Sequence, residues 1–453
     1  MRLPVHSYRL RRTAVAGQQL LNCYAEKSEE RGPVLLKRAP GIVLWSSLSG
    51  IGRGLHVMAG VLYAVAGETL YSISSTGVAT AIGAIAGGGQ CWFADNGTEL
   101  VVGSDSGWYV WNGTTLAEIT DADFIARGAR GCAFVDNYIS FIEPGSGRWF
   151  ISDLAAATAY DSLDFATAEG APDHLVSLAV DHREVMLFGE TTLELWYNSG
   201  ASGFPFERSP DGFVEIGCAA NQGVAKIDNS VFWLANDLTI RRLTGRTPER
   251  VSHHGVEEQL RSYATVSDCV ARSWTWNGHL AVMFRFPSAG ACWVFDITTG
   301  EWHERQTYGY DGWNVVGVVE AYGKVVVQNA AGDLGYFDDA THTEFGEIQR
   351  ASWTYQPVYG SNERLFHGRF EVVCETGVGL VTGQGSDPRL TLEISNDGGR
   401  TWLTLPTRTL GGIGEYRTRV KWHRLGSSRD RVYRCSISDP IPLTVWDTVL
   451  EAA

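Results

Sequence analysis

The stretch Gly60–Ile73, GVLYAVAGETLYSI, decides the fold. Two short runs of alternating apolar residues, rich in aromatic and β-branched side chains, flank the Ala66-Gly67-Glu68 turn; this is the pattern of a β-hairpin with one buried face. The same pattern recurs from Gly97 (GTELVVGSDSGWYVW), Asp136 (DNYISFIEPGSGRWFISD), Arg183 (REVMLFGETTLELWY) and Asp228 (DNSVFWLANDLTIRRL). It returns from Asn277 (NGHLAVMFRFPSAGACWVFD) and Tyr322 (YGKVVVQNAAGDLGYFD). With Leu62, Leu100, Tyr138, Val185, Val231, Leu280 and Val325 equivalent, the steps are 38, 38, 47, 46, 49 and 45 residues. Repeats of that length with hairpin content predict four-stranded blades, each too small to bury both faces unless stacked in a ring. The fold class is therefore all-β: a β-propeller of six or seven blades, seven favoured, with Trp111, Trp196, Trp233 and Trp293 expected between blades. An N-terminal arm with a first strand (1–45) precedes the propeller (46–345), and a C-terminal β-rich domain (346–453) follows it.

One segment departs from the strand pattern. From Val251 to Asp268, Val256, Leu260 and Tyr263 share a face at helical spacing, which predicts a short helix within about 252–264, starting at Ser252 or just after. Its polar residues His253, His254, Glu257 and Glu258 offer metal-type donors but no third ligand, so they are expected on a solvated helix face. Asp121-x-Asp123 and Asp338-Asp339 read as turn acids rather than a glycosidase pair. Phosphate-loop, HExxH and GxSxG motifs are absent from the sequence, and no catalytic, cofactor-binding or metal residues are assigned.

Composition narrows the classes further. The chain has 453 residues, 44% hydrophobic and 19% charged, with 52 glycines, enough for a large core with many turns. A net charge of −14 argues against a general nucleic-acid binder. Eight scattered cysteines without a CxxC pair read as buried, reduced thiols of a protein folded in cytosol. The N-terminus lacks the apolar core of a secretory signal, and no run is long enough for a membrane helix. The Asn96 and Asn112 sequons then read as turns.

Near the C-terminus, SNDGGRTW (395–402) fits the Asp box, S-x-D-x-G-x-T-W. Ser395, Asp397, Gly399, Thr401 and Trp402 are expected to lock a turn, since nothing in the motif activates water. The box leaves one alternative open: a glycan-binding or glycan-cleaving propeller. Charge is concentrated here too. Arg400 to Arg434 holds nine Lys or Arg against two acids, among them Arg417, Arg419, Lys421, Arg424, Arg429 and Arg431. Arg417, Arg419 and Lys421 alternate as on one face of a strand, a candidate subunit interface. A second basic cluster (Arg2, Arg9, Arg11, Arg12) marks the arm.

Three segments resemble a known family. VSHHGVEEQLRSYATVSDCVARSWTWNGHLAVMFRFPSAGACWVFDITTGEWHER (251–305) and SNDGGRTWLTLPTRTLGGIGEYRTRVKWHRLGSSRDRVYRCSISDPIPLTVWDTVL (395–450) are similar to tail hub, or nozzle, proteins of short-tailed bacteriophages, also called packaged-DNA stabilisation proteins. QQLLNCYAE (18–26) followed by LLKRAPGIVLW (35–45) is similar to their start. The resemblance implies a structural virion protein folded in the host cytoplasm, without enzymatic activity. It implies a self-assembled ring, typically of six, below the portal and its adaptor ring. Such a ring extends the DNA channel, retains packaged genome and carries spike, fibre or needle proteins, while DNA passes its lumen without sequence-specific contact. The arm arginines would then reach the adaptor ring.

Overall fold

The computed structural model describes residues 1–10, 17–28, 34–361 and 363–453. Among these, seven four-stranded antiparallel blades form a closed ring. Six are continuous in sequence: Gly52–Ala84, Trp92–Glu118, Cys132–Thr167, Leu175–Val214, Val224–Arg250 and Val270–Glu304. The seventh takes three strands from Val315–Asp338 and its outermost from Gly41–Ser47, which pairs antiparallel with Asp333–Asp338. The first strand of each blade packs beside those of its neighbours, and the circle closes where Val315–Ala321 meets Gly52–Met58.

Seven apolar clusters sit between successive blades, which is why alternation along each strand was so regular: both faces of every sheet are covered. Trp233 lies fully buried between blades 4 and 5, and Trp293 between blades 5 and 6. Trp196 fills the junction of blades 3 and 4, and Trp111 packs half-buried between blades 1 and 2. Six of the seven first hairpins turn through two consecutive residues of positive φ, such as Asp136-Asn137 and Asn277-Gly278. That is the turn geometry matching the right-handed twist of paired strands. Asn96 and Asn112 accept from the backbone N–H of Thr98 and Thr114, both as turn locks.

The helix is His254–Leu260, capped by His253, whose Nδ1 accepts from the Gly255 N–H at 3.1 Å. Val256 and Leu260 enter the core between blades 5 and 6, as the spacing predicts. Its polar side differs from expectation. Glu257 is wholly buried, held by Arg250 and Ser252, and His253 and Glu258 are partly buried, while His254 is exposed as expected. A second helix, Ala122–Arg127, is one the sequence reading missed. Asp121 is its N-cap, accepting from Asp123 and Phe124 N–H, and not a simple turn acid.

The remaining strands build a two-sheet sandwich. One sheet runs Gly17–Leu21, Ala351–Thr354, Asp430–Ile437, Arg389–Ser395, Leu403–Thr404. It continues blade 6, since Leu21 pairs in parallel with Glu304 of that blade's outer strand. The other sheet runs Cys23–Lys27, Val34–Arg38, Thr444–Ala452, Leu365–Cys374, Val420–His423. Trp353, Tyr355, Phe370, Trp422 and Tyr433 fill the space between them. The N-terminal segment thus contributes four strands to the sheets of the sandwich, counting the two-residue Tyr8–Arg9 beside Gly17–Leu21, and one to the propeller. Its first residues are also docked: the Met1 ammonium donates to Thr448 O at 2.8 Å, and His6 meets Glu301 at 3.0 Å. All eight cysteines are unpaired; seven are buried, with burial pushing thiols such as Cys23 and Cys218 up to about 12.

Candidate functional site

Three places bear on function: the Asp box, the basic residues of the sandwich, and the propeller axis. The Asp box spans the hairpin between Arg389–Ser395 and Leu403–Thr404. Asp397 accepts from the N–H groups of Arg400 (2.9 Å) and Thr401 (2.9 Å), from the Thr401 hydroxyl (2.6 Å) and from Ser395 Oγ (2.7 Å). Gly399 N–H donates to Ser395 Oγ, and the Trp402 indole N–H donates to Gly399 O. Gly398 and Gly399 take φ of +73° and +88°, which strain any other residue. The Arg434 guanidinium lies 4.0 Å from the centre of the Trp402 ring. The Asp397 carboxylate is therefore saturated with donors, led by the Thr401 hydroxyl, and its pKa is driven far below its ordinary value. A carboxylate so occupied holds a turn; it has no lone pair directed at a substrate. Asp397→Asn is expected to loosen residues 395–402, seen as faster hydrogen exchange of the Arg400 and Thr401 amides. A depressed carboxylate stabilises fully above its unfolded pKa and loses that effect as pH falls towards its folded pKa, so the difference from wild type should begin to shrink below about pH 4 and keep shrinking as the solution is made more acidic. A difference that persists unchanged into acid would refute the charge-based lock.

The six basic interface candidates do not behave alike. Arg431 is buried, donating to Asn396 Oδ1 (2.8 Å) and Leu425 O (2.6 Å), so it is a strut inside the sandwich and not an interface residue. Arg419 makes two 2.7 Å bonds to Glu371, which together with Arg369 and Lys421 hold that carboxylate below its ordinary range. The strand here is only Val420–His423, so Arg417 and Arg419 precede it and do not alternate along it with Lys421; the loop 411–419 is kept irregular by its glycines. Arg417, Arg424 and Arg429 are exposed, and among the described residues none has an ion-pair partner. In the arm, Arg9 is engaged by Glu304 at 2.6 Å and Arg2 is exposed. Arg11 and Arg12 lie outside the described residues.

The propeller axis is bridged by side chains. First strands of blades 1–6 surround an open cavity of about 300 Å³, lined by His56, Phe93, Cys132, Leu178, Lys226 and Arg272. The connection from blade 4 to blade 5 reaches across it. Trp92 Nε1 donates to Asn221 Oδ1 at 2.6 Å, Asn221 Nδ2 to Val176 O at 2.6 Å, and Arg272 Nη2 to Gln222 Oε1 at 2.9 Å. Sequence reading had no means to find this bridge, because its partners lie 45 to 129 residues apart. Nearby, Arg53 is buried against four carbonyls, those of Gly67, Ile85, Ala86 and Gly89. Asp339, read as a turn acid, accepts from Asn277 and Trp276 and so ties blade 6 to the end of blade 7. Among the described residues no group of three or more His, Cys, Asp or Glu is placed to hold a metal ion, and no helix is long and apolar enough to cross a membrane.

Two family models match the chain. One, described as bacteriophage P22 Gp10, beta-propeller, covers residues 20–342; the other, bacteriophage P22 Gp10, beta-sandwich, covers residues 353–452. None of the curated proteins matches in sequence. Similar solved structures include the computationally designed Ika8 protein, 16% identical over 65% of this chain and 99% of that one, with a TM-score of 0.40. BamB from Moraxella catarrhalis is 12% identical over 73% and 95%, with a TM-score of 0.41. PorZ of the type-IX secretion system of Porphyromonas gingivalis is 12% identical over 73% and 44%, again at 0.41.

Proposed function

The chain belongs to the bacteriophage P22 Gp10 family of structural phage tail proteins, and from that premise we propose that it is the tail hub of a short-tailed phage. In this reading several copies, six in the pattern of such hubs, form a ring below the portal and its adaptor. The ring extends the DNA channel, retains packaged genome and seats the spike, fibre or needle proteins. The observation that carries the reading is the pairing of propeller and sandwich matched over nearly the whole chain.

The bridged axis supports it physically. A DNA duplex whose major groove alone is about 12 Å wide has no passage through a cavity bridged by Trp92 and Asn221. Any channel for the genome is therefore built between copies, with the propeller as a rigid wall segment. The chain's charge of −14 suits a wall that DNA slides past, since phosphates are repelled within a Debye length of about 8 Å. Exposed Arg2, with Arg11 and Arg12, is the part of the arm that would meet the adaptor; Arg9 is already committed to Glu304.

The test is made on particles assembled without this protein, scored for DNA content and tail shape by electron microscopy. Heads that package and then leak DNA, with the tail truncated, are expected. Full heads with intact tails that fail to bind cells would overturn the hub reading and move the protein to the receptor side.

A further inference from the structure

The molecule carries opposite charges at opposite ends. In a seven-bladed ring, blade 3 lies directly across from the junction of blades 6 and 7, where the sandwich is attached. Blade 3 carries the insertion 152–164 between its last two strands. From Asp153 to Asp173 there are five carboxylates and no Lys or Arg. Among the described residues Asp153, Asp161 and Asp164 have no cationic partner, and they sit close enough that Asp161 and Asp153, after burial, raise the pKa of Asp164. Leu154 and Leu163 stand out beside them, 60% and 76% exposed.

At the other end, Val420–His423 is the last strand of its sheet, four strands beyond Cys23–Lys27, the strand nearest the propeller, and Arg408 Nε donates to its Lys421 O at 2.9 Å. At about 4.8 Å per strand the edge stands roughly 19 Å further out. Arg417 and Arg424 bracket this edge strand, with Arg429 following, all exposed and without ion-pair partners among the described residues. Apolar side chains accompany them too: Tyr416 is 71% exposed beside Arg417, and Phe366, whose strand pairs with Ser427, is 67% exposed.

We propose that the basic edge of the sandwich, through Arg417 and Arg424, docks on the acidic rim of blade 3 of a second copy of this chain, head to tail. This rests on the ring reading above and assigns its contact surfaces. Two different patches at opposite ends of one molecule make a heterologous contact, and such contacts close into a ring when the rotation between copies is a whole fraction of a turn without translation. The charges fix which neighbour is met and in what register, while the flanking leucines and aromatics supply buried area. Edge charges also keep the strand from pairing with other sheets before the partner arrives.

The test uses full-length chains in sedimentation velocity at low salt. One variant carries Arg417→Glu and Arg424→Glu; the other carries Asp153→Lys and Asp161→Lys. Wild type is expected to self-associate, less so as salt rises, and each variant alone to associate about 100-fold more weakly. Thermal melts of the two variants should match wild type, since all four side chains are surface charges. Mixed in equal amounts, the two variants restore both complementary contacts and should assemble in alternation. A variant that assembles like wild type, or a mixture that stays monomeric beside an assembling wild type, overturns the pairing and leaves the ring reading standing. A wild type that stays monomeric at every concentration overturns both.

Discussion

Removing residues 1–47 should leave a chain without a cooperative thermal transition, although it keeps all of the first six blades. Blade 7 loses its outer strand, Gly41–Ser47, whose Ile42 lies in the core between blades 6 and 7 and whose Trp45 packs against Tyr322 and Tyr336. Each blade relies on two neighbours to cover its faces, so a blade that frays exposes both adjoining clusters, and the loss spreads around the ring. The sandwich loses more. Gly17–Leu21 sits between blade 6 and Ala351–Thr354, and Cys23–Lys27 with Val34–Arg38 covers one side of Thr444–Ala452. Leu20, Cys23 and Leu36, all fully buried, leave its core together. Calorimetry and limited proteolysis would read the result. A truncated chain that melts sharply near the wild-type temperature would show that the ring closes without its terminal strand.

The second large effect is expected from Arg38→Met. Arg38 is 5% exposed at the meeting point of the two units and donates to four backbone carbonyls. Nη1 reaches Asp439 O at 2.5 Å and Ile441 O at 3.0 Å; Nη2 reaches His342 O at 3.1 Å and Gln349 O; Nε meets Gln349 Oε1 at 3.3 Å. These acceptors come from the end of the propeller, the connection after it, and the sandwich. Methionine fills the space of the stem but satisfies none of them. Charged hydrogen bonds contribute about 1.5–3 kcal/mol each, and relief of the buried charge offsets part of their loss, so a net cost of about 3–5 kcal/mol is expected. That offset is real: burial already lowers the guanidinium to about 10. Denaturant unfolding should show the loss and a separation of propeller and sandwich transitions. A single transition within about 1 kcal/mol of wild type would mean that water replaces the guanidinium at little cost.

How much of this was legible in the sequence follows from the range of the interactions involved. The seven residues aligned by spacing, Leu62 to Val325, all fall in the second strand of a blade, because that strand is covered on both faces and keeps its apolar alternation. Outer strands such as Leu116–Glu118 and Thr247–Arg250 are short and partly exposed, so they carried little signal. The Asp box was legible because its bonds lie within seven residues. Arg38, Arg53 and Arg431 were not, since arginine reads as surface and their acceptors are carbonyls, which every residue has. Asp121 could have been found: an aspartate three positions before Phe124 is an ordinary cap signal. The acidic rim of blade 3 was present as a run free of Lys and Arg, but its position opposite the sandwich exists only once the ring is closed.

The strand that completes blade 7 also sets a timetable for synthesis. It leaves the ribosome nearly three hundred residues before its partner Asp333–Asp338, and Thr444–Ala452, which joins the N-terminal strands of the sandwich, follows about a hundred residues after that. At about 5–20 residues per second the strand waits roughly 15–60 seconds for its partner. A prematurely terminated copy never acquires the strands that seal either unit and remains open to proteases. If the chain assembles into the ring proposed above, one faulty copy would breach the wall for all, and the wiring of the fold would screen for chains that carry every strand before any of them meet.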